Sequence, residues 1–175
     1  MKKKKIGVYI CHCGGNISDY VDVEKVRQSV EGEDIVFLAK TTMLAWSDTN
    51  QRDMVDDIKA NDLDGVIVAS CSPKLHQLTF RNVSIRADLN KYTYVHANIR
   101  EQASWAHSDN KMGATEKAIH LVQAAVAKAR YAEALETNKI KAKKAVAVIG
   151  AGVAGIKAAI ALAEKDTDVI LIEKA

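Results

Sequence analysis

Ala145-Val146-Ala147-Val148-Ile149-Gly150-Ala151-Gly152-Val153-Ala154-Gly155 is the stretch from which the fold is read. Five apolar residues run into a G-x-G-x-x-G pattern, a helix-like segment follows over 154–165, and 168–172 reads as a second buried strand. That context gives each glycine a physical role. Gly150 permits the tight turn, Gly152 lets the backbone approach a pyrophosphate, and Gly155 lets helix and strand pack closely. The helix start then offers the N–H groups of Val153 and Ala154, and its positive end, to phosphate. Glu173 follows the second strand, 18 residues after Gly155, where a carboxylate would hold ribose hydroxyls and repel the extra phosphate of NADP. Lys174 is expected beside the adenosine. The fingerprint alone does not separate FAD from NAD. Residues 145–175 therefore read as the first β-α-β unit of a Rossmann domain, a unit that cannot bury both faces of its strands by itself.

Upstream, the polar and patternless segment 136–144 reads as a linker, and 1–135 as a complete α/β domain. Strands are expected at 6–10, 35–39, 65–69 and 92–97. Helices are expected over 21–30 with Asp19 or Asp22 as N-cap, over 51–61, from Pro73 to about 88, and over 115–135. Gly65-Val-Ile-Val-Ala69 has the β-branched content of a central parallel strand. The fold class is thus α/β, a parallel-sheet domain followed by the opening of an FAD- or NAD-binding domain.

Composition narrows the function classes. The 175 residues are 48% hydrophobic and 27% charged, with 9 Gly and 1 Pro, which excludes a mostly disordered or collagen-like chain. No run approaches the ~20 apolar residues that span a bilayer. Formal net charge is +3, but Lys2 to Lys5 supply four of the positive charges, so the body is near neutral and a nucleic-acid role has no support. The apolar run 6–10 is too short for a secretory signal, so a cytoplasmic protein is expected.

Three cysteines are too few and too odd for a disulfide framework. Cys11 and Cys13 follow the first strand and Cys71 the third, so a parallel sheet places all three at its carboxyl edge, where ligands bind in open α/β folds. Thiolates there suit an iron–sulfur cluster, which normally takes four Cys. Zinc with His12 or His76 as fourth ligand is a second reading, and small buried residues at strand ends a third. A thiol-redox site built on Cys11 and Cys13 alone would be strained by their single spacer. Asp56 and Asp57 read as a solvated helix face, and Trp46 and Trp105 as partly buried packing residues.

The motifs together resemble a known family. Val8-Tyr-Ile-Cys-His-Cys-Gly-Gly-Asn-Ile17, Ser47-Asp48, Cys71-Ser-Pro-Lys-Leu-His76 with Phe80-Arg81, Ala97-Asn-Ile-Arg-Glu-Gln102 with Ser104-Trp105, Ala114-Thr-Glu-Lys117 and the glycine fingerprint stand in the order seen in the N-terminal part of HdrA, the A subunit of heterodisulfide reductase. The resemblance implies a flavin- and iron–sulfur-dependent oxidoreductase subunit that relays electrons to or from FAD, in disulfide reduction or electron bifurcation. It further implies Cys11, Cys13 and Cys71 as cluster ligands, and cluster-bearing and disulfide-reductase-type subunits as partners. This sequence departs from the pattern at Trp46 and Ala103, where the resemblance leads one to expect cysteine. Those departures favour the alternative of a cofactor-free docking module, while the retained C-x-C and Cys-Ser-Pro motifs oppose it. The isolated chain is expected to be inactive.

Overall fold

The computed structural model describes residues 3–174, and the chain divides into two compact units, 1–135 and 136–175. In unit 1 four parallel strands, β1 (Ile6–Cys11), β2 (Val36–Thr42), β3 (Gly65–Ser70) and β4 (Tyr94–Asn98), form one sheet in the order β2-β1-β3-β4. β1 and β3 lie in the middle and are buried throughout, which is why both read as unbroken apolar runs rather than alternating ones. Helices α1 (Val23–Glu31) and α4 (Lys111–Tyr131) pack on each other and on the sheet, and α2 (Asp48–Asn61) and α3 (Pro73–Arg86) form a second packed pair. The parallel α/β architecture expected from the sequence is present.

The helix boundaries follow their caps. Asp22 accepts from Lys25 N at 3.0 Å and starts α1, while Val23, Val26 and Val30 turn inward. Ser47 starts α2 three residues before the expected Gln51, because its hydroxyl accepts from Asn50 N. α4 corrects the expected range of 115–135 at both ends: Asn110 accepts from Gly113 N at 2.9 Å, so the helix begins a turn early, and it stops at Tyr131. Asn110→Ala should therefore cost about 1 kcal/mol, the usual worth of a side-chain N-cap, seen as a lower urea midpoint at unchanged m.

One further expectation is corrected. Asp57 is not merely solvated: its carboxylate accepts from Tyr9 Oη at 3.2 Å and pairs with Lys40 Nζ at 2.7 Å. Trp46 and Trp105 are partly buried as expected, at 41% and 50% exposure. Each ring uses one face only, as described below.

In unit 2, β5 (Ala145–Ile149) and β6 (Asp168–Ile172) pair in parallel, with α5 (Val153–Ala163) between them in sequence. Within this two-stranded unit α5 has no buried residue, and Ile149, Ile156, Ile160 and Ile170 are exposed.

Candidate functional site

The strand order of unit 1 reverses between β1 and β3: from β1 the chain steps to β2 on one side, then crosses back to β3 on the other. Crevices at such reversals, beyond the carboxyl ends of the strands, are the usual ligand positions of open α/β sheets. Ile10 pairs with Ala69, so the residues just beyond them, Cys11 to Cys13 and Cys71, emerge side by side at that crevice.

The local backbone explains how the thiols are aimed. After β1 the chain makes a single tight turn, Cys13–Gly15, with left-handed φ at all three residues (55°, 61° and 96°). Two of the three are glycine, which adopts that conformation freely; Cys13 does so at a cost. Cys11 Sγ lies under the turn, accepting N–H from Cys13 at 3.2 Å and from Ala45 at 3.3 Å, and donating toward Met43 O at 3.7 Å. Burial pushes the Cys11 thiol up to about 11, against the lowering effect of those two N–H groups. Cys13 and Cys71 follow the neighbouring strands β1 and β3 and lie on the two sides of the crevice. Burial, then the Cys13 sulfur, raises Cys71, and the Arg100 guanidinium offsets part of it.

A second wall comes from the segment after β4. Arg100–Ser104 is one π-helical turn, tied down by Ile99 N to Ser70 O at 2.9 Å and by Ser104 Oγ donating to Asn16 O. It directs Arg100 at the thiols, with Nη1 3.7 Å from Cys13 Sγ, Nη2 2.8 Å from Glu101 Oε1, and the guanidinium stacked 4.4 Å from the Trp105 ring centroid. Arg100 Nε and Glu101 Oε2 are buried without a hydrogen-bond partner. The sequence reading holds both residues within the Ala97–Gln102 motif but gives neither a role. The available signal is position: a charged pair directly after a strand, at the same sheet edge as the cysteines.

The aromatic residues and histidines form a third side. Trp46 stacks on His76 with centroids 5.8 Å apart and planes 7° from parallel. His96 Nε2 lies 2.6 Å from Cys71 O and its Nδ1 meets Tyr94 Oη, so the neutral ring carries its hydrogen on Nε2 and accepts the phenol hydrogen. Burial lowers the basicity of both His76 and His96, consistent with that neutral ring.

The donor set can be tested against an iron–sulfur cluster. The chain has three cysteines, one short of four thiolates. Both departures from the family pattern border the thiols: Trp46 follows Ala45, whose N–H is on Cys11 Sγ, and Ala103 is fully buried in the turn that carries Arg100. Neither side chain can supply the missing ligand. Among the described residues no group of three or more His, Cys, Asp and Glu side chains is placed to hold a metal ion, His12 and His76 included. A four-thiolate cluster does not fit this site.

The glycine turn of unit 2 passes the equivalent test for a dinucleotide. Gly150 is left-handed at φ 100°. A Cβ on Gly155 would lie 1.8 Å from Gly150 O, so close packing fixes that glycine. Gly152 has ordinary angles (φ −69°, ψ 176°) and a Cβ there would meet nothing within 4 Å. The fold itself gives no reason for glycine at 152; the free space is where a phosphate would approach. Gly152 caps α5 with no side-chain acceptor, leaving the first-turn N–H groups, those of Val153 and Ala154 among them, to an external anion. Glu173 accepts from Ala151 N and, at 3.0 Å, from Lys174 N, which puts its carboxylate over the same turn.

Comparison with known proteins agrees with both halves. The FAD binding domain family matches residues 145–175. The chain is 48% identical over 174 residues (99% of the chain, 26% of the relative) to the A subunit of the H(2):CoB-CoM heterodisulfide,ferredoxin reductase of Methanothermobacter marburgensis. It is 46% identical over 171 residues (97% of the chain, 21% of the relative) to the A subunit of the ferredoxin:CoB-CoM heterodisulfide reductase of Methanosarcina mazei. A protein of Archaeoglobus profundus that is itself like the heterodisulfide reductase A subunit is 43% identical over 173 residues, 99% of the chain and 25% of that relative. The chain thus spans about a quarter of the length of the curated relatives it matches. Over nearly all of its own length, as its motifs led one to expect, this chain is homologous to the A subunit of heterodisulfide reductase.

Proposed function

We propose that the chain is the portion of a heterodisulfide-reductase-type oxidoreductase subunit that opens its FAD site, and that it works by electron transfer within a multi-subunit redox complex in the cytoplasm. No helix among the described residues is long and apolar enough to cross a membrane. The observation that carries the reading is Gly152, a glycine the fold does not need and a pyrophosphate does. On this reading FAD supplies the redox chemistry. The N–H groups of Val153 and Ala154 bind its pyrophosphate, Glu173 exchanges its bond to Ala151 N for the ribose hydroxyls, and Lys174 lies on the adenosine side. No step is routed through a cluster at the thiols.

Residues 145–174 supply the phosphate and ribose contacts and none of the large apolar ones a flavin ring needs, so the chain should bind FAD weakly. The test is an NMR titration of the 175-residue chain with FAD at millimolar concentration. Shifts confined to 150–155 and 173–174 are expected. Absence of any shift there, or sub-micromolar affinity lost on Gly152→Val, would defeat the half-site reading, the second by showing the site complete.

A further inference from the structure

The three thiols at the strand reversal of unit 1 are not equivalent. Cys11 is fully engaged, its sulfur donating to Met43 O and accepting two backbone N–H groups, and it is 0% exposed. Cys13 has a left-handed backbone, and its sulfur lies 3.7 Å from Arg100 Nη1. Cys13 and Cys71 follow different, neighbouring strands, β1 and β3, so a bond between them would cross the crevice rather than run along the chain. A Cys11–Cys13 bridge would need a strained ring with one intervening residue, whereas a Cys13–Cys71 bridge carries no such constraint.

We propose that Cys13 and Cys71 are a redox-active dithiol that closes to a disulfide by exchange with a small disulfide, leaving Cys11 a thiol throughout. Cys13 is the attacking sulfur, being 6% exposed against 1% for Cys71, with Arg100 Nη1 3.7 Å away. In the first step Cys13 Sγ bonds to one sulfur of the small disulfide. The S–S bond of the reagent breaks, and its departing half takes up the proton Cys13 gives away. In the second step Cys71 Sγ attacks Cys13 Sγ, the mixed disulfide breaks, and the second half leaves as a thiol with the Cys71 proton. The protein pair loses two electrons and the small disulfide gains them. Arg100 is a positioning residue here, and its Glu101 partner holds the guanidinium in the plane that reaches Cys13.

The inference is independent of the flavin turn, and its test uses the whole chain without FAD. The reduced chain, freed of reductant under argon, is treated with one equivalent of dithiodipyridine. Two thiopyridones should be released per chain, the product should be lighter by two hydrogens, and peptide mapping should join Cys13 to Cys71 with Cys11 still open to alkylation. Cys11→Ser should give the same bridge. Cys71→Ser should stop after one thiopyridone, with the pyridyl group held on Cys13. A bridge that includes Cys11 would overturn the proposal. So would a pyridyl adduct that persists on Cys13 while Cys71 is present. Stoichiometric iron and sulfide in the reduced chain, with all three thiols silent until the iron is removed, would overturn it too. If Cys71→Ser fails to fold by circular dichroism, the map of the unmodified chain decides alone.

Discussion

Val68→Asp is expected to leave unit 1 without a cooperative fold. Val68 sits in β3, 1% exposed, between Tyr9 of β1 and His96 of β4 in the sheet register. A carboxylate there would lose water, which costs several kcal/mol even after it neutralises by taking a proton. Total stability of a domain this size is on the order of 5–15 kcal/mol, and the substitution also removes the packing of a branched side chain at the sheet centre. Expression in inclusion bodies, or a soluble product with no urea transition, is the expected result. Val68→Ala makes the comparison informative, because it removes the packing alone and should cost only a few kcal/mol. A Val68→Asp chain that unfolds cooperatively near the parent midpoint would mean that β3 is not a central strand.

The extent to which such outcomes can be foreseen from sequence differs along the chain, for physical reasons. β1 and β3 are legible because a central parallel strand is buried on both faces, and a continuous apolar run as short as Gly65 to Ala69 suits few positions but that one. The three thiols can be placed at one sheet edge for the same reason. What cannot be read is which thiol faces which. That depends on the left-handed Cys13–Gly15 turn, which holds Cys11 Sγ beneath the Cys13 N–H. The early start of α4 is hidden because Asn110, Lys111 and Met112 precede the apolar stripe; a cap acts through one hydrogen bond and leaves no periodic trace. The partial burial of Trp46 and Trp105 is legible from their size, but their partners are not: one ring stacks on a histidine and the other on an arginine, each brought in by a different element.

Asp57 shows the same limit from the electrostatic side. Its neighbour Asp56 is exposed, and nothing in the pair distinguishes one from the other. Only the fold brings Tyr9 and Lys40 to Asp57, and burial together with that carboxylate pushes the Tyr9 phenol well above its ordinary range.

Gly155→Ala is expected to unmake the fold of unit 2, and Gly152→Ala to leave it intact while removing its use. The two residues are three apart and identical in chemistry, so the difference lies wholly in what surrounds them. The methyl added at 155 would be placed 1.8 Å from Gly150 O and 3.0 Å from the Gly150 carbonyl carbon. Both are backbone atoms, held by Gly150 N donating to Ile172 O at 2.7 Å, so neither can move without breaking the β5–β6 pairing. The cost should lie well above the roughly 1 kcal/mol typical of a point substitution. In a backbone amide NMR spectrum the dispersed signals of 145–172 should collapse, and those of 6–131 provide the internal reference. At 152 the added methyl meets nothing within 4 Å and the backbone angles are ordinary, so the spectrum should change only locally, with at most a modest loss at the α5 cap. The same methyl occupies the space through which a pyrophosphate must approach the N–H groups of Val153 and Ala154, so the FAD-dependent shifts at 150–155 should vanish. Should Gly152→Ala instead disorder β5 and β6, glycine at 152 would be a requirement of the fold, and the argument that ties that position to a ligand would fail.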